Sequence, residues 1–281
     1  MNCLLKWIGG KHKVASRLLD VLPLHRIYVE TCGGAASLLC AKPFSMSKVE
    51  VYNDVNLHLY NFFRVLQDTE LHKELIHLCE TTPYHREVWK DAGINLKDNL
   101  RKDEIPDIQQ AWYFYTLNRQ SFAGFMNAWG YCISRSNRGR AGAVNEWLEA
   151  IKELPLVHER LRLVQCDCDT VFNVIQRYDM PDTFFFIDPP YIIDTRKQGR
   201  YDHEMTDEDH IKLTDMLMNI KGKAILCGYD HEIYDPLNQS DKWQRIDVAR
   251  VADCAGTTKN QRTPQTPVSY THLTLPTIYS V

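Results

Sequence analysis

Two rhythms of apolar residues alternate along the chain. Ile27–Glu30 has the length and apolarity of a short buried strand, and the small residues from Gly33 to Ser37 open a helix reaching about Ala41. Val49–Tyr52 reads as a second strand ending at Asn53-Asp54, after which Leu59, Phe62, Phe63 and Leu66 fall at helical spacing. Strand, helix, strand, helix is the order of a parallel sheet. From about Asp68 to Leu161 the strand rhythm gives way to helix and loop, which predicts an inserted domain. Strand signal returns near Leu161–Val164, followed by a helix over about Thr170–Tyr178 and the apolar run Phe184–Ile187. Thr206 and Asp209 have the spacing of a capping box, with Leu213, Leu217 and Ile220 on one face behind them and Gly222 closing the helix. Ala224–Cys227 and Trp243–Val251 predict further strands. Pro264–Val281 is rich in Thr and Pro and fits neither template, which predicts a disordered or foreign tail.

The resulting division is 1–67, 68–160, 161–263 and a tail over 264–281, within a chain of 281 residues that can hold a large α/β core and a smaller appended domain. With 44% apolar and 25% charged residues the composition is that of a globular protein. No apolar run approaches the length of a membrane span, and charge comes too early after Met1 for a signal peptide, so the expected place is the cytoplasm. Of nine cysteines only Cys166 and Cys168 are close, which points to free thiols in a reducing compartment and to no metal site.

A net charge of −3 suggests no nucleic-acid partner, but the charge distribution does. Ile108–Asn145 contains no Asp or Glu, yet it holds Arg119, Arg135, Arg138 and Arg140 among Phe122, Phe125, Trp129 and Tyr131. Arginines for phosphates beside aromatic faces for bases make a nucleic-acid surface. Trp112–Tyr115, earlier in the same stretch, fit the core face of a helix instead.

Chemistry concentrates where Phe184–Ile187 runs into Asp188-Pro189-Pro190-Tyr191. Ligands of open α/β sheets bind beyond the carboxyl ends of strands. The two prolines fix φ and donate no N–H, so the corner offers acceptors: the Asp188 carboxylate and the Pro189 carbonyl. An amino group on an aromatic base is a poor nucleophile because its lone pair is delocalised into the ring. Two acceptors on its two hydrogens favour a pyramidal nitrogen with that pair released. Tyr191 supplies a stacking face, a contact worth about 1–3 kcal/mol per base. A base inside a duplex cannot reach such a corner and must be extruded.

With that box the chain resembles the DNA adenine methylase (Dam) family, alpha group, over most of residues 4–262. The likeness includes Lys6-Trp7-Ile8-Gly9-Gly10-Lys11, Val29-Glu30 with Gly33-Gly34, and Asn53-Asp54-Val55-Asn56. It continues in His203-Glu204-Met205-Thr206, Asp209-His210 and Gly228-Tyr229-Asp230. The resemblance implies a Rossmann-like α/β sheet for S-adenosylmethionine-dependent methyl transfer. It also implies a mostly helical target-recognition domain inserted in that sheet. The expected substrate is adenine N6 in double-stranded DNA, with a cognate restriction enzyme as a further partner. It assigns Trp7, Lys11, Glu30, Gly33, Gly34, Asp54 and Asp167 to the methyl donor, with Asp169 an alternative to Asp167. Asp188 stands between donor and base, and Arg119, Arg135, Arg138 and Arg140 approach DNA.

Three departures stand out. Thr31-Cys32 replaces the family's usual Pro-Phe, and Ala36 stands where Gly is common. The family's final apolar strand is replaced by the segment with Pro264 and Pro267, so the expected sheet lacks a strand and leaves its neighbour unpaired. Rival expectations are cytosine-N4 methylation, where the box more often begins with Ser, and protein-glutamine methylation, where it more often begins with Asn. A third is an inactive DNA-binding relative.

Overall fold

A computed structural model describes residues 4–7, 10–11, 15–133, 136–137, 139–195, 202–247 and 267–272. In chain order the elements begin with α1 (Ala15–Asp20), β1 (Ile27–Glu30), α2 (Ser37–Ala41), β2 (Val49–Asn53) and α3 (Leu57–Gln67). Next come α4 (Leu71–Thr81), α5 (Arg86–Asn95), α6 (Ile108–Gln120), the two-residue strands β3 (Ser136–Asn137) and β4 (Arg140–Ala141), and α7 (Gly142–Leu161). The chain continues with β5 (Gln165–Asp167), α8 (Val171–Tyr178), β6 (Thr183–Ile187), α9 (Asp207–Met218), β7 (Lys223–Tyr229), α10 (Asp235–Asn238), β8 (Trp243–Asp247) and β9 (Pro267–His272). They form two compact units, one of residues 1–22 and 33–169, the other of 23–32 and 170–281. Five strands pair in parallel, two in the first unit and three in the second, and helices alternate with them: an α/β, Rossmann-like fold.

In the first unit β2 pairs with β5, setting Asn53 opposite Asp167. Asn56 caps α3 by accepting from the His58 and Leu59 N–H groups, and Leu59, Phe62, Phe63 and Leu66 are all fully buried. Phe62 stacks on Tyr115 of α6 at 5.2 Å, and Tyr115 meets Trp147 of α7 at 5.6 Å. Phe114 and Tyr115 are therefore core residues, as the helical spacing predicts. Asn61 and Asp107 exchange two hydrogen bonds (2.7 and 2.8 Å), joining α3 to the cap of α6. A buried cluster adds a further tie: the Glu50 carboxylate takes Lys42 Nζ at 2.6 Å and the two terminal guanidinium nitrogens of Arg160 at 2.5 and 2.7 Å. Removing one member of such a cluster leaves an uncompensated buried charge.

In the second unit β6 lies between β1 and β7, parallel to both, and all five of its residues are buried. Thr170 caps α8, and the Thr206–Asp209 capping box of α9 forms as expected.

Three expectations are corrected. The strand placed near Leu161–Val164 begins later, because Leu161 still belongs to α7 and Val164 closes a turn onto the Leu161 carbonyl; a short apolar run reads alike as helix end or strand. Gly222 does not close α9, which ends at Met218 with Asn219 as its C-cap; a Cβ at Gly222 would lie 2.7 Å from the Thr183 carbonyl, so its lack of a side chain serves close packing before β7. The tail does not leave the sheet short of a strand. Pro267–His272 forms β9, antiparallel to β7 on one side and β8 on the other. Pro267 occupies the first strand position, where a missing N–H is tolerated, and the residues after it include Val268, Tyr270 and Thr271. Pro264 lies outside the described residues, as does the end of the predicted strand Trp243–Val251 beyond Asp247.

Candidate active site

The glycine corner of the first unit is built around close approach. Gly34 sits in the left-handed region at φ 50°, and a Cβ there would lie 2.6 Å from the Trp7 indole nitrogen; glycine lets the indole lie against the loop. A Cβ on Gly33 would meet the Tyr52 ring at 2.3 Å. The Tyr52 hydroxyl donates to the Gly34 carbonyl (2.7 Å), Gly33 N–H to the Asn53 carbonyl (2.8 Å), and Gly34 N–H to the Asp54 carboxylate (2.8 Å). The other Asp54 oxygen accepts from Asn56 N–H at 2.9 Å. Lys11 is half-buried in the same unit.

Next to this corner Asp167 ends β5 and accepts from Cys168 N–H. The Asn53 side chain exchanges two hydrogen bonds with the Asp169 backbone, at 2.8 and 2.9 Å. Burial pushes the Cys166 thiol up to about 12. Burial likewise raises Cys168 to about 11, opposed by Lys102 and reinforced by Asp54, Asp167 and Asp169. Both thiols therefore stay protonated at neutral pH. Among the described residues no group of three or more His, Cys, Asp or Glu side chains is arranged to hold a metal ion. No described helix is long and apolar enough to cross a membrane.

In the second unit, Asp188-Pro189-Pro190-Tyr191 follows β6 directly, with Pro189 buried and Asp188 and Tyr191 half-buried. Glu30 ends the adjacent strand β1, in register with Phe186, and accepts from the buried Tyr28 hydroxyl at 2.8 Å. Thr31 extends this pairing through its N–H to the Phe186 carbonyl at 3.1 Å. The Tyr191 ring meets Tyr229, the last residue of β7, edge to face at 5.0 Å.

The arginine-aromatic stretch divides. Arg119 is 7% exposed and donates to the Glu146 carbonyl at 2.9 Å; helix packing engages it, so it departs from the expected phosphate contact. Arg140 is exposed on the β3–β4 hairpin, and Arg135 and Arg138 lie outside the described residues. Ser121–Gly130 forms a closed loop, with Phe122 N–H bonded to the Ala128 carbonyl and Gly130 N–H to that of Gln120, both at 2.8 Å. Ala123 and Met126 adopt left-handed conformations (φ 51° and 57°), a strain the surroundings must hold. Lys6 supplies part of that hold: its backbone exchanges two 2.9 Å bonds with the Asn118 amide, and its ammonium donates to the Ser121 carbonyl at 3.2 Å. From α5, Trp89 donates to the Ser121 hydroxyl at 2.8 Å. Sequence reasoning gave no role to Lys6, Tyr52, Trp89 or Tyr229. Lys6 and Tyr229 stood inside quoted motifs, whereas the others carry no local signal.

The sequence pattern of the D12 class N6 adenine-specific DNA methyltransferase family matches residues 7–249. The chain is 22% identical over 275 residues to the type II methyltransferase M.MjaIII of Methanocaldococcus jannaschii, covering 90% of this chain and 93% of that protein. It is 30% identical over 199 residues to the modification methylase LlaI of Lactococcus lactis, covering 68% of this chain and 30% of that protein. With the match spanning the glycine corner and the Asp188–Tyr191 corner alike, the chain belongs to the D12 class N6 adenine-specific DNA methyltransferases.

Proposed function

We propose that the Asp188–Tyr191 corner grips an adenine extruded from DNA while the Gly33–Gly34 corner of the first unit holds the methyl donor. The donor, S-adenosylmethionine, supplies an electrophilic methyl carbon. Asp188 and the Pro189 carbonyl accept the two N6 hydrogens, which draws the nitrogen lone pair out of conjugation and aims it. Asp188 is also the first acceptor for the proton that N6 sheds as the nitrogen–carbon bond forms and the donor's carbon–sulfur bond breaks, releasing a neutral thioether. Tyr191 stacks on the base and offsets part of the extrusion cost of a few kcal/mol. On the donor side, Asp54 accepts from the ribose hydroxyls, Trp7 and Gly34 line the loop, Lys11 neutralises the carboxylate, and Glu30 and Asp167 complete the set.

Residues 68–160 act as the target-recognition domain, with Arg135, Arg138 and Arg140 on phosphates. The enzyme works in the cytoplasm. The names of its relatives, a type II methyltransferase and a modification methylase, support a cognate restriction endonuclease as partner.

The observation that carries the reading is the Asp188-Pro189-Pro190-Tyr191 corner standing directly on a fully buried strand. Labelled donor with unmethylated genomic DNA tests it. Asp188→Ala is expected to lower transfer by about 100- to 1,000-fold while DNA binding persists, the scale of losing one preorganised polar group. Undiminished transfer in that variant rules the reading out.

A further inference from the structure

The two prolines of the catalytic corner fix backbone φ at positions 189 and 190 but leave the side-chain torsions of Tyr191 to its surroundings. A stacking platform needs a defined ring plane, and within the second unit Tyr229 packs against that ring. Tyr229 meets the Tyr191 ring with centroids 5.0 Å apart and planes 78° apart, the edge-to-face arrangement favoured by the ring quadrupoles. The strand register brings them there. Ile187 pairs with Leu226, so Tyr191 stands four residues and Tyr229 three residues past that pair, on adjacent parallel strands running the same way.

Tyr229 itself is held from the β9 side of its strand. Its backbone pairs with Pro267 of β9, and the next residue, Asp230, forms an ion pair with Arg245 of β8 at 2.7 Å. The antiparallel strands β9 and β8 thereby anchor a post against which the platform leans. Resting on the reading of Tyr191 given above, we propose that Tyr229 is a positioning residue that sets the plane of Tyr191 for stacking on the extruded adenine. It touches neither donor nor reacting atoms, and its ring, not its hydroxyl, does the work.

Single-turnover transfer by the full chain, with enzyme in excess over sites in unmethylated genomic DNA and labelled S-adenosylmethionine as donor, reads this out. Tyr229→Ala is expected to slow transfer about three- to tenfold, the range one edge-to-face pair supports. Donor affinity by calorimetry stays within about twofold, because the donor corner belongs to other residues. Tyr229→Phe restores most of the rate. In a Tyr191→Ala background, Tyr229→Ala adds less than about twofold, since a positioning residue has nothing left to position.

Additive losses, or an equal fall in donor affinity, overturn the inference by making Tyr229 a general packing residue. If Tyr191→Ala leaves the rate untouched, the stacking reading itself is refuted. If Tyr191→Ala is slow and Tyr229→Ala is not, only the present inference is. Should Tyr229→Ala melt early, Tyr229→Leu keeps apolar bulk without an aromatic edge, and it too must be slow with donor affinity retained.

Discussion

The corner after β6 stands on a strand whose five residues are all buried, whereas the loop after α6 exposes Phe122 and Phe125 by 53% and 48%. Both regions carry aromatic rings, and the family's chemistry needs rings in two capacities. In the first region they are structural mass: Phe184 and Phe185 have no exposure, and the proline corner inherits its rigidity from them. In the second they are presented outward on a backbone held in left-handed turns by Asn118, Lys6 and Trp89. The role proposed for the corner requires acceptors fixed to about 0.5 Å, which a strand provides. A surface proposed to meet DNA requires reach, which a loop provides.

The largest expected effect breaks this comparison directly. Phe185→Ala removes a fully buried ring and should lower unfolding free energy by about 3–5 kcal/mol in urea titration. Phe125→Ala should change stability by no more than about 0.5 kcal/mol yet weaken DNA binding about tenfold. Equal destabilisation by the two would erase the distinction.

A second effect concerns the base of the loop. Burial pushes the Lys6 ammonium down to about 8; Arg119 adds to this, and Glu146, 3.8 Å away, opposes it. The unfolded chain holds that proton up to its ordinary value of 10.5, so between about 8 and 10.5 it binds more protons than the native state. The penalty is present in full below 8 and is relieved as pH rises through that window. Tyr84 and Cys166, both raised by burial to about 12, act in the opposite direction, so the contribution is isolated by difference. Wild type minus Lys6→Met stability should become more favourable by on the order of 2 kcal/mol across the window. A flat difference from pH 7 to 10.5 contradicts the assignment.

The smallest effect sharpens the contrast in strain. Ala36 adopts φ 53° like Ala123 and Met126, but at 0% exposure, at the entry to α2. Ala36→Gly should stabilise the protein by about 0.5–1 kcal/mol, read as a raised melting temperature. A lowered melting temperature would show that the Ala36 methyl contributes more by packing than the left-handed backbone costs.

Much of this was legible beforehand. Asp188-Pro189-Pro190-Tyr191 at the end of an apolar run, and the Thr206–Asp209 box, are signals carried by chain neighbours, and both appear where expected. The family tendency to glycine at position 36 acquires a physical cause in the left-handed φ found there. Arg119 was misread because its partner, the Glu146 carbonyl, is distant in sequence and gives no local sign. The tail was misread because counting prolines in a segment ignores their positions: only Pro267 enters the strand, and at its first residue.

From the chain alone came the alternation of strands and helices, the acceptor corner and the acid-free arginine stretch, because periodicity, proline φ and charge are properties of neighbouring residues. Tertiary structure alone decided that β9 enters between β7 and β8, that Tyr52 and Trp7 fill the space two glycines leave, and that Tyr229 meets Tyr191. Those outcomes depend on which distant surfaces pack together, and packing selects among partners that local pattern leaves equivalent.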